Sequence, residues 1–135
     1  MVRGNYFVKN GTATQLDYPG NARIKNIADG TSKTMMIFEK RLTLPYTTNG
    51  IDDDEGWSSG WDYDTVRTTL CPPQADAKEP IAGTNASYRT PGSAHGAGVN
   101  SVFADGSIRM IGYDIDPETF NCLGHREDGQ VISVP

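Results

Sequence analysis

Apolar residues in this chain come in short runs broken by Gly, Pro, Asn and Asp, a pattern that predicts many turns and short strands rather than long helices. Residues 1–23 show no sustained periodicity and read as loop-rich, with one short strand at Tyr6 to Val8. Order is expected from Ile24 onward. The continuous apolar run that starts at Met35 has the length of a strand and predicts a buried strand over Met35 to Lys40. It is entered through Asp29-Gly30-Thr31-Ser32, which favours a turn or a single helical turn capped by the Asp29 side chain. Between Leu44 and Pro91 isolated aromatics alternate with turn formers. So long a bare loop is unusual in a compact domain, and short strands are expected near Thr65 to Leu70 and Ser87 to Arg89.

The last third is the most legible, reading strand, turn, strand, short helix, turn, strand. Asp105-Gly106 between two apolar runs is a strong hairpin signal, because a two-residue type I′ turn needs positive φ at both central positions. That turn pairs Ala104 with Ser107, Phe103 with Ile108, Ser101 with Met110 and Val99 with Gly112. It therefore predicts a core face of Val99, Phe103, Ile108 and Met110. Asp116-Pro117-Glu118 then starts a helix, with Asp116 as N-cap and Phe120 and Leu123 directed inward. Gly124 ends it. The fold class expected is α+β and β-rich: an antiparallel sheet with a C-terminal β-hairpin, followed by a short helix and a strand, all within one domain over residues 1–135.

Composition narrows the function. With 36% hydrophobic and 21% charged residues the chain reads as an ordered globular protein. Its net charge of −5 lacks the basic footprint of a nucleic-acid binder and would be repelled by an acidic membrane surface. No segment has the length and apolarity of a membrane span, and residues 1–20 do not read as a signal peptide. Cys71 and Cys122 form no metal-ligand set; they suit one long-loop disulfide in an oxidising compartment or two buried thiols in a reducing one.

No nucleophile elbow, zinc-protease helix, phosphate loop or dinucleotide fingerprint occurs, so an enzyme is not expected. His95 and Asp105 lie too far apart along an extended strand to share a metal. The hairpin register instead carries His95 toward Asp114 to Asp116, as an ion pair or a loose metal site, and a structural histidine bonded to backbone or to an Asp is the preferred reading over a ligand. His125 reads as surface. No cofactor is expected, although a hard, oxygen-liganded cation such as calcium suits the acidic loop Asp52, Asp53, Asp54 or the Asp114/Asp116 end of the hairpin. Trp57, Trp61 and Tyr63 could stack on a sugar ring, the basis for an alternative reading as an extracellular glycan-binding module. A metal-dependent hydrolase built on His95, His125 and nearby Asp ranks last.

Three segments taken in order, "NARIKNIADGTSKTMMIFEK", "GWDYDTVR" and "PGSAHGAGVNSVFADGSIRMIGYDIDPETFNCLG", resemble the planctomycete prepilin-like family of unknown function that carries a C-terminal H-x9-DG motif. His95, nine residues and then Asp105-Gly106 fit that motif, and the likeness runs from about Ile24 to Ser133. Lys33 and Ala97 depart from the usual pattern. The resemblance implies a pilin-like or pseudopilin-like globular head, here without the leader and long N-terminal membrane helix of full-length relatives. It also implies export to the cell envelope or beyond, protein partners in a filament or envelope assembly, and a Cys71–Cys122 disulfide in preference to free thiols.

Overall fold

The computed structural model describes the main chain of residues 6–9 and 12–15 and, with their side chains, residues 23–44, 66–77 and 90–134. Near the start, β1 (Tyr6–Lys9) and β2 (Thr12–Gln15) pair as an antiparallel hairpin, so the segment expected to be loop with one strand contains two. The central sheet has the order β3-β6-β7, formed by β3 (Met35–Phe38), β6 (Gly98–Phe103) and β7 (Ile108–Gly112), all antiparallel. Two two-residue strands, β4 (Gln74–Ala75) and β5 (Gly92–Ser93), make a small parallel ladder beside it. One helix, α1 (Pro117–Leu123), follows the hairpin. The chain is thus α+β and strand-rich.

The core is Met35, Val99, Phe103 and Ile111 from one face of the sheet, closed by Phe120 and Leu123 of α1. Phe38, Tyr113, Ile115, Ile132 and Val134 pack against it from the rim. Thr69 covers the far side of the helix: its hydroxyl donates to the Asn121 carbonyl at 3.2 Å, and the Asn121 amide donates to the Thr69 carbonyl at 3.2 Å. These paired bonds explain why a polar Asn can be buried in a helix of seven residues.

The β6-β7 turn differs by one residue from the turn read in the sequence. The Gly106 N–H donates to the Phe103 carbonyl at 2.9 Å and the Phe103 N–H donates to the Ser107 carbonyl at 2.9 Å, which closes a three-residue loop, Ala104-Asp105-Gly106. Gly106 takes positive φ, at 85°, as in a type I turn followed by a glycine bulge. The register becomes Val102↔Ile108, Ser101↔Arg109, Asn100↔Met110, Val99↔Ile111 and Gly98↔Gly112. A one-residue slip turns every side chain of β7 to the opposite face. Ile111 is therefore fully buried, while Ile108 is 73% and Met110 55% exposed. Arg109 now lies on the core side, with its guanidinium 4.6 Å from the Phe103 ring centre.

Other expectations change for related reasons. The strand beginning at Met35 stops at Phe38 and lies at the sheet edge, so Met35 is buried but Met36 and Ile37 are exposed. Met36 is the extra residue of a bulge between the Met35↔Phe103 and Ile37↔Val102 pairs. Residues 66–70 form no strand, and the segment Ser87 to Arg89 lies outside the described residues. The final strand is absent as well: residues 125–134 keep an alternating in-out pattern at Val131 to Val134 but join no ladder. Gly124 ends α1 at φ −84°, without the left-handed turn, and glycine is required because a Cβ there would run into Thr69.

Candidate functional site

The polar residues singled out in the sequence fall at the two ends of β6. At the turn end, Asp105 accepts from the Ser107 N–H at 2.9 Å and the Ser107 hydroxyl at 2.7 Å. These bonds, the hydroxyl foremost, hold the Asp105 carboxyl below the usual carboxylate range. The turn backbone also docks on the preceding loop: Ala104 N–H donates to the Thr34 carbonyl at 2.8 Å and Asp105 N–H to the Thr31 carbonyl at 3.1 Å. Thr34 in turn has its hydroxyl 3.2 Å from the Gly30 carbonyl and 3.3 Å from the His125 carbonyl.

Asp29 completes this knot. It was expected to cap its own turn, but its carboxylate instead accepts from Asp128 N–H at 2.7 Å and Gly129 N–H at 2.9 Å, and its N–H donates to the Arg126 carbonyl at 3.1 Å. Three segments distant in sequence are thereby tied together: residues 29–34, the 104–107 turn and residues 125–129. His125, read as surface, is only 1% exposed because this C-terminal loop folds back beneath the knot.

Next to the knot a buried thiol lies against a half-buried carboxylate. Burial pushes the Cys122 thiol up to about 12, with the charge of Asp128 adding to the effect. Asp128 is itself raised, first by burial and then by the nearby Asp29 carboxylate, while its bond from the Gln130 N–H at 2.7 Å acts the other way. Cys71 and Cys122 are not bridged; Cys71 is half-buried and Cys122 buried.

At the open end of the hairpin, His95 meets Glu39 rather than Asp114 or Asp116. Its Nε2 is 3.3 Å from Glu39 Oε1, and both side chains are partly exposed. The other Glu39 oxygen accepts from Asn100 N–H at 2.7 Å, while the Glu39 carbonyl accepts from Gly92 N–H at 3.0 Å. The 93–98 loop is fixed from inside. Ser93 Oγ donates to the Gly98 carbonyl at 2.8 Å and accepts the His95 N–H at 3.0 Å, and the Tyr113 hydroxyl donates to the His95 carbonyl at 2.8 Å.

These contacts separate the proposed chemical pairs. His95 sits at the open end of β6, whereas Asp105 and His125 belong to the turn end, on the order of 20 Å away along an extended strand. No common hydrolytic centre of His95 and His125 is formed. Asp116 is occupied as the N-cap of α1, accepting from Thr119 N–H at 2.8 Å and the Thr119 hydroxyl at 2.9 Å. The Thr119 N–H is the main cause of its lowered pKa. The Asp114 carboxylate fills the space a Gly112 side chain would take. Among the described residues no group of three or more His, Cys, Asp or Glu could hold a metal ion, so Asp114 and Asp116 are joined there by no third such side chain. Asp52, Asp53, Asp54, Trp57, Trp61 and Tyr63 lie outside the described residues.

Glu39, Ser93, Tyr113 and Asp128 are the contributors that sequence reasoning missed, and Asp29 has Asp128 and Gly129 as partners in place of its own turn. Asp128-Gly129 carries a turn signature, but nothing local links it to Asp29, one hundred positions away from Gly129.

A third feature is apolar. On the face of the sheet opposite the core, Ile37, Val102 and Ile108 stand directly across from one another on β3, β6 and β7, and Met110 follows on β7. Ile37 is 58% exposed, and with Ile108 and Met110 it forms an exposed hydrophobic surface.

A family described as a protein of unknown function (DUF1559) matches residues 2–118 of the chain. No curated protein and no solved structure matches it.

Proposed function

The chain belongs to the DUF1559 family, and from that premise we propose that it is a non-enzymatic, exported, pseudopilin-like head domain whose work is assembly or display at the cell envelope. Its partners are proteins, and its His95…Asp105-Gly106 spacing is the H-x9-DG signature of planctomycete prepilin-like relatives. The observation that carries this reading is how the polar residues are used. Asp29, Asp105 and Asp116 satisfy backbone donors, the Thr34 hydroxyl donates to backbone carbonyls, and His95 is held by Glu39 and the 93–98 loop, while the outer sheet face leaves Ile37, Ile108 and Met110 in solvent. The polar side chains are thus accounted for by bonds within the scaffold, and the apolar sheet face beside them suits a protein partner.

Two measurements in cells that produce the protein test the proposal. Proteinase K added to intact cells should digest it; digestion only after lysis would overturn export. The double variant Ile37→Lys/Ile108→Lys, with an unchanged circular dichroism spectrum, should leave the envelope fraction. Full retention there would overturn assembly through this face.

A further inference from the structure

We propose that β7 is a pairing edge: a second copy of this chain adds its own β7 antiparallel across a two-fold axis at Met110, joining the two three-stranded sheets into one. This deepens the assembly reading by naming the partner.

The phase of the backbone hydrogen bonds leads there. Phe103 N–H bonds to the Ser107 carbonyl and Tyr113 N–H to the Ala97 carbonyl, so the odd-numbered residues of β7 face β6 with their main-chain groups. The groups of Ile108, Met110 and Gly112 therefore point out of the sheet, where no strand pairs with them among the described residues. Only the Gly112 carbonyl is engaged, accepting from Ile115 N–H at 3.3 Å. Edges of natural sheets are usually guarded by proline, charge, a bulge or shortness of the strand. β7 is five residues long and its one charge, Arg109, lies on the core side over Phe103, but neither proline nor bulge interrupts it, and its two outward-bonding positions that carry side chains are Ile and Met, both exposed.

The strand is also self-complementary. With the axis at Met110, Met110 pairs with Met110 of the second copy, and Ile108 pairs with Gly112 of the second copy. All are outward-bonding residues, as an antiparallel ladder requires. The two Met110 residues exchange both bonds, and each Gly112 N–H reaches an Ile108 carbonyl, so a ladder closes without using the occupied Gly112 carbonyl. The single charge on β7, Arg109, falls opposite Ile111, so no like charges oppose each other across the junction. On the outer face the two Met110 side chains meet beside the Ile37–Val102–Ile108 row, which itself runs on into Gly112 of the second copy. A strand this short covers much less than the about 800 Å² per partner of a standard interface, so the dimer is weak and concentration-dependent. The net charge of −5 on each copy makes it tighten with added salt.

Sedimentation velocity on the full chain, from about 1 to about 500 µM, tests the pairing. The wild-type mass should climb from monomer toward dimer. Met110→Lys and Met110→Glu should each stay monomeric, and an equimolar mixture of the two should associate at least about tenfold more tightly than either alone, because the axis sets residue 110 against itself. A wild type that stays monomeric throughout, or a Met110→Lys chain that dimerises like wild type, would overturn the dimer. Failure of the mixture to recover association would overturn the axis at Met110. A monomer that is still digested on intact cells would leave the envelope reading standing and remove the dimer alone.

Discussion

The Asp116 carboxylate does two things with one oxygen: it satisfies a donor that the first turn of α1 cannot satisfy itself, and it holds the Thr119 hydroxyl. Asp116→Ala should cost about 1 kcal/mol, read from urea unfolding midpoints at unchanged slope. The carboxylates also set opposing pH dependences. Asp105 and Asp116 are lowered, by Ser107 and Thr119 respectively, so the stability they add is present above the usual carboxylate range and lost as pH falls through their folded values. Asp128 is raised, chiefly by burial. The folded protein then holds that proton more tightly than the unfolded chain, and the charged carboxylate opposes folding once pH climbs through its raised value. Asp128→Asn keeps an oxygen for Gln130 N–H and carries no charge. Its melting temperature should rise relative to wild type between about pH 3 and about pH 7. A constant difference across that interval would contradict the burial assigned to Asp128.

The hairpin register is the property that matters most at the level of elements. Ile111 fills the core and Ile108 lies outside it, although both are β7 isoleucines three positions apart. Ile111→Ala should cost about 2 to 5 kcal/mol, whereas Ile108→Ala should change stability by no more than about 0.5 kcal/mol. Chemical denaturation of the two variants side by side distinguishes this register from the two-residue turn, which would reverse the order. The presence of the hairpin and of the helix after it was readable from Asp105-Gly106 and Asp116-Pro117. The register was not, because Asp-Gly serves a two-residue turn and a three-residue bulged turn equally well. The choice follows from the docking of Ala104 and Asp105 on Thr34 and Thr31.

For the molecule as a whole, the knot around Asp29 replaces the final strand as the device that holds the C-terminal segment. Residues 125–134 have no ladder, yet they cover the core through Ile132 and Val134 and are anchored by two N–H groups on the Asp29 carboxylate. Asp29→Ala leaves both donors without that acceptor and should destabilise by about 1 to 3 kcal/mol. Hydrogen exchange should show the Asp128 and Gly129 amides losing protection while those of β6 keep theirs. Equal loss throughout would mean that the tether unfolds only with the rest of the molecule. The Cys122 thiol lies under the same segment. It should resist iodoacetamide in the native protein and react on unfolding, since the thiolate is the nucleophile and burial holds the group protonated.

Local chemistry in the sequence determined that Met35 begins a strand, that Asp105-Gly106 turns the chain, that Asp116 opens a helix and that Phe120 and Leu123 face inward. Each of these depends on residues a few positions apart. Tertiary structure alone decided which face of β7 is buried, that His95 meets Glu39 rather than Asp114, that His125 is buried and that Asp29 bonds Asp128 and Gly129. Such outcomes depend on which backbone donors are left unsatisfied once distant segments meet, and periodicity and spacing carry no record of that.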